Sequence, residues 1–175
     1  MAKKYVSGNA LHEKVMSGVN ILADNVASTL GPRGRNVILH KKGKTPLITK
    51  DGVTVAKFVD LEDPFENAAA QIIKQASAQT NSDAGDGTTT ATVLAREILV
   101  QAQKYLAAGA SPTELKRGMD KTVEAIIENL KEMAKPVSSE EDISHVASIS
   151  ANGDKTIGSL IATAIDKVGK DGSIT

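Results

Sequence analysis

The chain has 175 residues, a mass of 18.3 kDa and 21 basic side chains against 21 acidic ones, so its charge gives no reason to expect nucleic acid or an anionic membrane as a partner. It contains no cysteine, which excludes disulfides and thiolate metal sites, and no apolar run approaches the roughly 20 residues of a membrane helix. With 2% aromatic residues and no Trp, the core has to be built from Ala, Val, Ile and Leu, which suits closely packed helices.

The first third of the chain predicts a helix followed by a β-hairpin. Apolar residues recur at helical spacing over 9–30, and the helix should end at Gly31-Pro32, because proline disfavours helical geometry in the residue before it. Two short apolar runs, 36–39 and 47–49, flank a polar segment and therefore predict a hairpin. The chain then continues with a turn signal, Asp51-Gly52, and the β-branched stretch Val53-Thr54-Val55.

Capping residues predict the starts of three later helices. Each start has a Ser or Asp N-cap with a carboxylate three residues later, and two also carry a proline in the first turn. These starts are Asp63-Pro64-Phe65-Glu66, Ser111-Pro112-Thr113-Glu114, and Ser138 with Glu141. A further helix is predicted over 89–106, with a C-cap at Gly109. Apolar residues recur at helical spacing over 115–133, which supports the helix that starts at Ser111. A second apolar stripe over 157–168 predicts a further helix.

A shift in composition at 135–139 separates a long Ala-rich section from a shorter lobe, and we predict a domain boundary between residues 135 and 136. The last residues, 172–175, are predicted to form a turn that enters a strand. That strand has no following sequence with which to pair. We therefore expect the chain to be the first part of a longer fold.

The densest candidate site is the segment 83–92, in which Asp-Ala-Gly-Asp-Gly precedes Thr-Thr-Thr-Ala-Thr. Glycines permit positive φ angles, and free N–H groups with hydroxyls at a helix N-terminus are typical of a phosphate site. Asp86 would repel a bare phosphate, but a Mg²⁺ ion between the two removes that conflict. The alternative is a Thr-rich helix start in which Asp86 is an ordinary capping residue.

Two further segments each allow a functional and a structural interpretation. The segment 29–35 is either a phosphate-cradling loop with two arginines or a helix stop with solvated arginines. Lys50 and Asp51 supply either a phosphate contact and a carboxylate that orients an attacking water, or an exposed charged turn. The Walker pattern is absent from the sequence, which disfavours an ordinary P-loop NTPase and a conventional kinase.

In their order along the chain, the segments TLGPRGRNV at 29–37, ITKDGVTVA at 48–56 and AGDGTTTATVLA at 84–95 resemble the group I chaperonins, the GroEL family. The similarity continues through LKRGMDK at 115–121, ISAN at 149–152 and KVGKDG at 167–172. It therefore extends over almost the entire chain, and the DGTTT segment is its most specific part.

The resemblance implies a mainly α fold with a small β-hairpin. Residues 1–135 are expected to form the first segment of the equatorial ATP-binding helical bundle, and residues 136–175 the start of an α/β intermediate (hinge) domain. The apical domain and the C-terminal equatorial segment of a full-length member would be absent.

The resemblance also implies an ATP site. The residues implied to contact ATP are Thr29, Leu30, Gly31, Pro32, Lys50, Asp86, Gly87, Thr88, Thr89 and Thr90. Asp86 would hold Mg²⁺, Asp51 would act on the attacking water as the catalytic carboxylate, and K⁺ is a further implied ion. Where the family usually has a lysine in the first loop, this chain has Arg33, which keeps the charge and changes the donor geometry.

For the whole protein, the resemblance implies an ATP-driven folding chaperone in the cytoplasm. Its partners would be further copies of itself in two stacked heptameric rings, a cochaperonin and unfolded proteins, with no nucleic acid and no membrane. Because the later segments carry the adenine contacts and a further catalytic carboxylate, we expect this chain alone to hydrolyse ATP very slowly or not at all. The alternative is a non-hydrolysing fragment that acts as an assembly or binding module through the hairpin at 36–49, which in the family contacts the neighbouring subunit.

Overall fold

The computed structural model describes residues 4–151, 153–169 and 172–173, and these residues form seven helices and one two-stranded sheet. They confirm the predicted mainly helical fold with a small β-hairpin. Over the same residues, none of the helices combines the length and apolar character needed to cross a membrane. In chain order the elements are α1 (Gly8–Ala27), β1 (Val37–Leu39), β2 (Leu47–Thr49), α2 (Gly52–Phe58), α3 (Pro64–Ala84), α4 (Thr88–Ala107), α5 (Pro112–Met133), α6 (Glu140–Ser150) and α7 (Lys155–Val168).

The chain divides into two compact units, Met1–Lys116 and Arg117–Thr175. This division falls within α5, whereas the sequence predicts a boundary between residues 135 and 136. The division within α5 separates groups of residues that contact one another, whereas the predicted boundary separates two domains of the family. The boundary at 135 stays a prediction.

The core of the first unit consists entirely of alanine and branched aliphatic side chains, as the scarcity of aromatic residues predicts. Three of the four aromatic residues of the chain, Tyr5, Phe58 and Tyr105, are 93%, 40% and 60% exposed. Small and branched side chains let helix backbones approach closely, so the core is dense without large rings. Its buried members are Val19, Leu22 and Val26 of α1, Leu39 of β1, Val55 and Ala56 of α2, and Ala69, Ala70 and Ile73 of α3.

Helices α1 and α3 approach each other closely at Gly18. At Gly18 an added Cβ would lie 2.1 Å from the backbone carbonyl oxygen of Glu66, so only glycine fits there. About one turn earlier, the Lys14 ammonium donates to Asp63 at 2.8 Å and to the Glu66 carboxylate at 3.2 Å. These hydrogen bonds raise the pKa of Lys14, and the Lys14 contact lowers the pKa of Asp63.

The hairpin is confirmed in place and in pairing. β1 and β2 are antiparallel, with Val37 opposite Thr49 and Leu39 opposite Leu47. Leu39 is buried against the core, while Ile38 and Ile48 are 67% and 63% exposed. The alternation of buried and exposed residues along β1 follows from the two-residue period of a strand.

Two of the three predicted helix starts are confirmed, and the third lies one residue later than predicted. α5 begins at Pro112, and at α3 the Asp63 carboxylate accepts hydrogen bonds from the N–H groups of Phe65 and Glu66. At α6 the capping box is formed by Ser139 and Asp142 instead of Ser138 and Glu141. The reason is that the hydrogen bonds are reciprocal at Ser139: its hydroxyl accepts from the Asp142 N–H, and the Asp142 carboxylate accepts from the Ser139 N–H.

The end of α4 also lies close to its predicted position. The C-cap is Ala108, and the predicted cap residue Gly109 follows it with a φ of +91°. The N–H of Gly109 donates to Leu106, and the N–H of Ala110 donates to Tyr105. This pair of hydrogen bonds is the Schellman arrangement, in which the left-handed residue comes directly after the cap.

The segment after the hairpin differs from its prediction. Val53, Thr54 and Val55 are helical residues of α2 although β-branched residues favour strands, and Asp51, predicted as part of a turn, is the N-cap of that helix. Val55 is fully buried in the core. Tertiary packing and a strong cap therefore override the weak helix propensity of the β-branched residues.

The second unit contains most of α5 together with α6 and α7. Within α5, all of which the structure describes, no residue is buried, and Leu130 of its apolar stripe is 57% exposed. Helices α6 and α7 pack closely, since a Cβ added at Gly158 of α7 would lie 1.9 Å from the Ser148 hydroxyl of α6. Gly172 and Ser173 are irregular, and the strand predicted to follow them at 174–175 lies outside the described residues.

Candidate phosphate-binding site

The three segments that the sequence marks as candidate sites meet at Gly52, the first residue of α2. Gly52 is buried, and an added Cβ would lie 2.1 Å from the Thr89 hydroxyl oxygen and 3.2 Å from the Thr29 hydroxyl oxygen. Thr29 follows the end of α1, and Thr89 lies in the first turn of α4. The first unit therefore brings together one residue from each of three segments that are far apart in sequence.

The loop after α1 folds back onto the end of that helix. The N–H of Arg35 donates to the carbonyl of Ser28 at 2.8 Å, and the N–H of Gly34 donates to Gly31 at 2.9 Å. Gly31 has a φ of +72°, which favours glycine. A Cβ at Gly34 would lie 2.2 Å from the carbonyl oxygen of Thr29, so the loop is closed as tightly as its backbone allows.

The N-terminus of α4 presents backbone donors without a side-chain cap. Gly87 is the N-cap residue, with a φ of +82°, and the first N–H that bonds within the helix is that of Ala91, to Gly87. By helix geometry the N–H groups of residues 88–90 have no partner inside α4. Together with the helix dipole they make a site for an anion.

The threonines of this helix start have different surroundings. Thr88 is buried, with 8% of its surface exposed. Thr92 is fully buried, and its hydroxyl donates to the carbonyl of Thr88. Thr90 is exposed, and Thr89 lies between these extremes against Gly52. The hydroxyls available to a ligand are therefore those of Thr89 and Thr90.

Asp51 is held by a dense set of hydrogen bonds at the start of α2. Its carboxylate accepts from the N–H of Val53 at 3.2 Å, the N–H of Thr54 at 2.9 Å and the hydroxyl of Thr54. Partial burial raises the pKa of Asp51, but the Thr54 and Val53 hydrogen bonds and the nearby charge of Lys57 together hold it below its ordinary value. Asp51 is therefore ionised at neutral pH and acts as an acceptor.

The donor set is compatible with Mg²⁺ bound together with a phosphate. The described part of the chain contains no cluster of three or more His, Asp or Glu residues that could hold a metal unaided. Mg²⁺ in nucleotide sites needs only one or two carboxylates, because phosphate oxygens and water complete its coordination. Asp86 is exposed beside the α4 N-terminus, and its Oδ1 accepts from the Gly87 N–H at 2.6 Å, which leaves further acceptor capacity on the carboxylate.

The remaining predicted residues surround this centre without a contact that fixes their role. Leu30, 45% exposed, and the exposed Gly31 and Pro32 form the outer edge of the first loop. Lys50 is exposed between β2 and α2. The contacts of these residues with nucleotide stay predictions.

Two residues that matter in this geometry were not assigned from the sequence. The sequence marks Gly52 only as part of a turn signal, because its contacts with Thr29 and Thr89 depend on tertiary structure and leave no local signal. Thr54 stands three residues after the N-cap Asp51, which is the capping-box position, so its bond to Asp51 could have been found from spacing.

The family model of the TCP-1/cpn60 chaperonins matches residues 22–174 of this chain. Among solved structures, the chain is similar to a group III chaperonin in the open state, known from a crystal structure, with a TM-score of 0.77 and 26% sequence identity. The match covers 91% of this chain and 32% of the other, so this chain spans about a third of the length of that chaperonin. The chain belongs to the TCP-1/cpn60 chaperonin family. Its assignment to group I in particular stays a prediction.

Proposed function

We propose that this chain supplies the phosphate-binding part of the ATP site of a chaperonin that assists protein folding. The observation that carries the proposal is the meeting of Thr29, Gly52 and Thr89 beside the uncapped N-terminus of α4. Three glycine-bearing loops that converge on free backbone N–H groups suit a polyphosphate. Family membership favours ATP as the nucleotide.

In this proposal each side chain has a task that follows from its position. The N–H groups of residues 88–90 bind phosphate oxygens, and the Thr29, Leu30, Gly31 and Pro32 loop and Lys50 close over the nucleotide. Asp86 holds Mg²⁺, which when bound offsets the negative charge of the phosphates. Asp51 orients the attacking water and does not take up its proton, because its lowered pKa makes it a weak base.

The activity of the complete protein is part of the proposal. It is an ATPase that acts as a homo-oligomeric ring in the cytoplasm, uses K⁺ alongside Mg²⁺, and has a cochaperonin and unfolded proteins as partners. The chain itself spans about a third of its structural relative. We therefore propose that it binds Mg-ATP weakly and that its own turnover is very slow or absent.

Replacing Asp86 by alanine tests the nucleotide site. In the unaltered chain Mg²⁺ is expected to raise the affinity for ATP, and in Asp86→Ala that increase should disappear, a loss of about tenfold or ~1.4 kcal/mol. Isothermal titration calorimetry with ATP, with and without Mg²⁺, measures both values. The matched control is Asp83→Ala, since Asp83 is an exposed carboxylate in the last turn of α3 that pairs with Gln79.

Equal Mg²⁺ dependence in Asp86→Ala and Asp83→Ala would contradict the role of Asp86. An absence of ATP binding by the unaltered chain would contradict the proposed function. Phosphate release at the rate of an intact chaperonin, abolished by Asp86→Ala, would instead show that the chain does not need the remaining segments for turnover.

A second candidate function is an assembly module, favoured by the exposed apolar side chains of the hairpin. Ile38, Leu47 and Ile48 are 67%, 50% and 63% exposed, on a sheet that has two strands and open edges in the described part of the chain. Chains are then expected to associate to the same extent with and without Mg-ATP. Light scattering measures the mass in solution under both conditions. Ile48→Lys should then shift the mass toward the monomer, and monomers under all conditions would exclude this candidate.

A further inference from the structure

We infer that Thr54 is a positioning residue that assigns the two carboxylate oxygens of Asp51 to different tasks, with Oδ2 fixed to the start of α2 and Oδ1 left to orient water. The inference rests on the proposed function, because it concerns how Asp51 would act in ATP hydrolysis. Thr54 is not itself expected to touch the nucleotide or the water, so it would act only through Asp51.

The hydrogen bonds at Asp51 are distributed unequally between its oxygens. Oδ2 accepts two, from the N–H of Thr54 at 2.9 Å and from the hydroxyl of Thr54 at 2.5 Å. Oδ1 accepts one, a longer bond from the N–H of Val53 at 3.2 Å. A carboxylate oxygen has about two acceptor positions, so Oδ2 is fully used and Oδ1 keeps one position for another donor.

The arrangement also fixes the orientation of the carboxylate plane. Two donors from one residue reach the same oxygen, so a rotation that exchanged Oδ1 and Oδ2 would break both bonds at once. The backbone of Asp51 is held as well, because its N–H donates to the Thr49 hydroxyl at 3.0 Å. The free acceptor position of Oδ1 therefore has a defined direction, which is what orienting a water requires.

The same hydroxyl contributes to the electrostatics of Asp51. Burial raises the pKa of Asp51, and the Thr54 hydroxyl is the foremost of the groups that oppose burial and lower the pKa. The N–H groups of Thr54 and Val53 and the ammonium of Lys57 add to it. Removing the hydroxyl should therefore raise the pKa of Asp51, so that the carboxylate becomes protonated at a higher pH as the pH falls.

The test uses Thr54→Val, which removes the hydroxyl and keeps the shape, and Thr54→Ser, which keeps the hydroxyl. Thr163→Val is the matched control, because the Thr163 hydroxyl donates only to a backbone carbonyl of its own helix, that of Ser159. The first measurement is a ¹³C NMR titration of the Asp51 carboxyl without nucleotide. The pKa should rise in Thr54→Val and stay at the unaltered value in Thr54→Ser and Thr163→Val.

The second measurement compares the affinity for Mg-ADP with that for Mg-ADP plus aluminium fluoride, which imitates the phosphoryl group in transfer. A transition-state analogue gains affinity over a ground-state ligand to the extent that the reacting groups are oriented. In Thr54→Val the affinity for Mg-ADP should stay within about twofold of the unaltered value. The additional affinity that aluminium fluoride gives should be about tenfold smaller than in the unaltered chain. Thr54→Ser should restore that gain.

The outcomes separate this inference from the function on which it rests. An unchanged Asp51 pKa in Thr54→Val overturns the inference whatever the nucleotide results are, and so does an undiminished gain from aluminium fluoride. If the unaltered chain binds no Mg-ADP, the proposed function fails, and the role of Oδ1 toward water fails with it. The titration would still decide whether Thr54 holds Asp51.

Discussion

Replacing Gly52 by alanine is expected to destabilise the chain by about 2 kcal/mol and to remove most of its affinity for Mg-ATP. The added methyl group would lie 2.1 Å from the Thr89 hydroxyl oxygen and 3.2 Å from that of Thr29. Thr89 has to rotate or move with the start of α4, and Thr29 is held because its hydroxyl donates to Val26 at 2.7 Å. The change therefore displaces the residues proposed to surround the phosphates.

Urea denaturation and calorimetry with Mg-ATP measure the two effects. Gly118→Ala is the matched control, since a Cβ at Gly118 of α5 meets nothing within 4 Å. That change should stabilise the chain by roughly 0.5–1 kcal/mol, because alanine loses less conformational freedom than glycine in a helix. If Gly52→Ala behaved like Gly118→Ala, the convergence of the three loops would be wrong.

A double-mutant cycle identifies the atom responsible. Thr89→Ala removes the hydroxyl at 2.1 Å, so the methyl group of Gly52→Ala then finds space that the threonine had occupied. The double variant Gly52→Ala, Thr89→Ala should be destabilised by about 1 kcal/mol less than the sum of the single changes. Strict additivity would mean that the cost of Gly52→Ala comes from somewhere other than Thr89.

The order of helices and the hairpin could be predicted because local chemistry dictates them. Asp63 and Pro64 identify the start of α3 by capping alone, and the polar run between 39 and 47 separates two strands of one hairpin. The segment 52–58 could not be predicted in the same way. Its β-branched residues favour extended structure locally, and the helix exists because Asp51 caps it and the core buries Val55.

The candidate site was predictable as a set of loops but not as a geometry. Glycines, threonines and charged residues mark the segments 29–35, 49–52 and 83–92, and motif order connects them to a family. Nothing in the sequence shows that Gly52 separates Thr29 from Thr89, since these contacts join residues that are more than 20 positions apart. Likewise, the four threonines from Thr88 to Thr92 look equivalent in sequence, and only packing makes Thr92 internal and Thr90 exposed.

The apolar stripes show that a sequence pattern can predict a helix without predicting how the helix packs. Periodicity over 115–133 correctly predicts a helix with an apolar face, yet that face is exposed along α5, where Ile126 and Met133 are 50% and 74% exposed. Periodicity reports which residues share a face of a helix, not what covers that face. The sequence therefore predicts the helix and leaves its packing undetermined.

Replacing Gly18 by alanine is expected to cost about 3 kcal/mol of the free energy of unfolding. The added carbon would lie 2.1 Å from the Glu66 carbonyl oxygen and 2.7 Å from the carbonyl carbon. Both are backbone atoms of α3, so no side-chain rotation can relieve the overlap. Instead α1 and α3 must move apart along the contact that carries the core residues Val19, Leu22, Ala69 and Ala70.

Urea denaturation of Gly18→Ala and Gly118→Ala separates the cost of the α1–α3 overlap from the effect of helix propensity. Both changes put alanine inside a helix, so both variants gain the same stability from helix propensity. The difference between the two variants should therefore be about 3.5–4 kcal/mol, and because the common propensity gain cancels, all of it comes from the α1–α3 contact. Separating the helices should also lengthen the Lys14 contacts with Asp63 and Glu66. NMR should then show the pKa of Asp63 returning toward its ordinary value, because the Lys14 hydrogen bond is the foremost cause of its lowering. Equal stability of the two variants, with an unchanged Asp63 pKa, would mean that α1 and α3 are not in contact at Gly18, and the core on which the candidate site is built would have to be assigned differently.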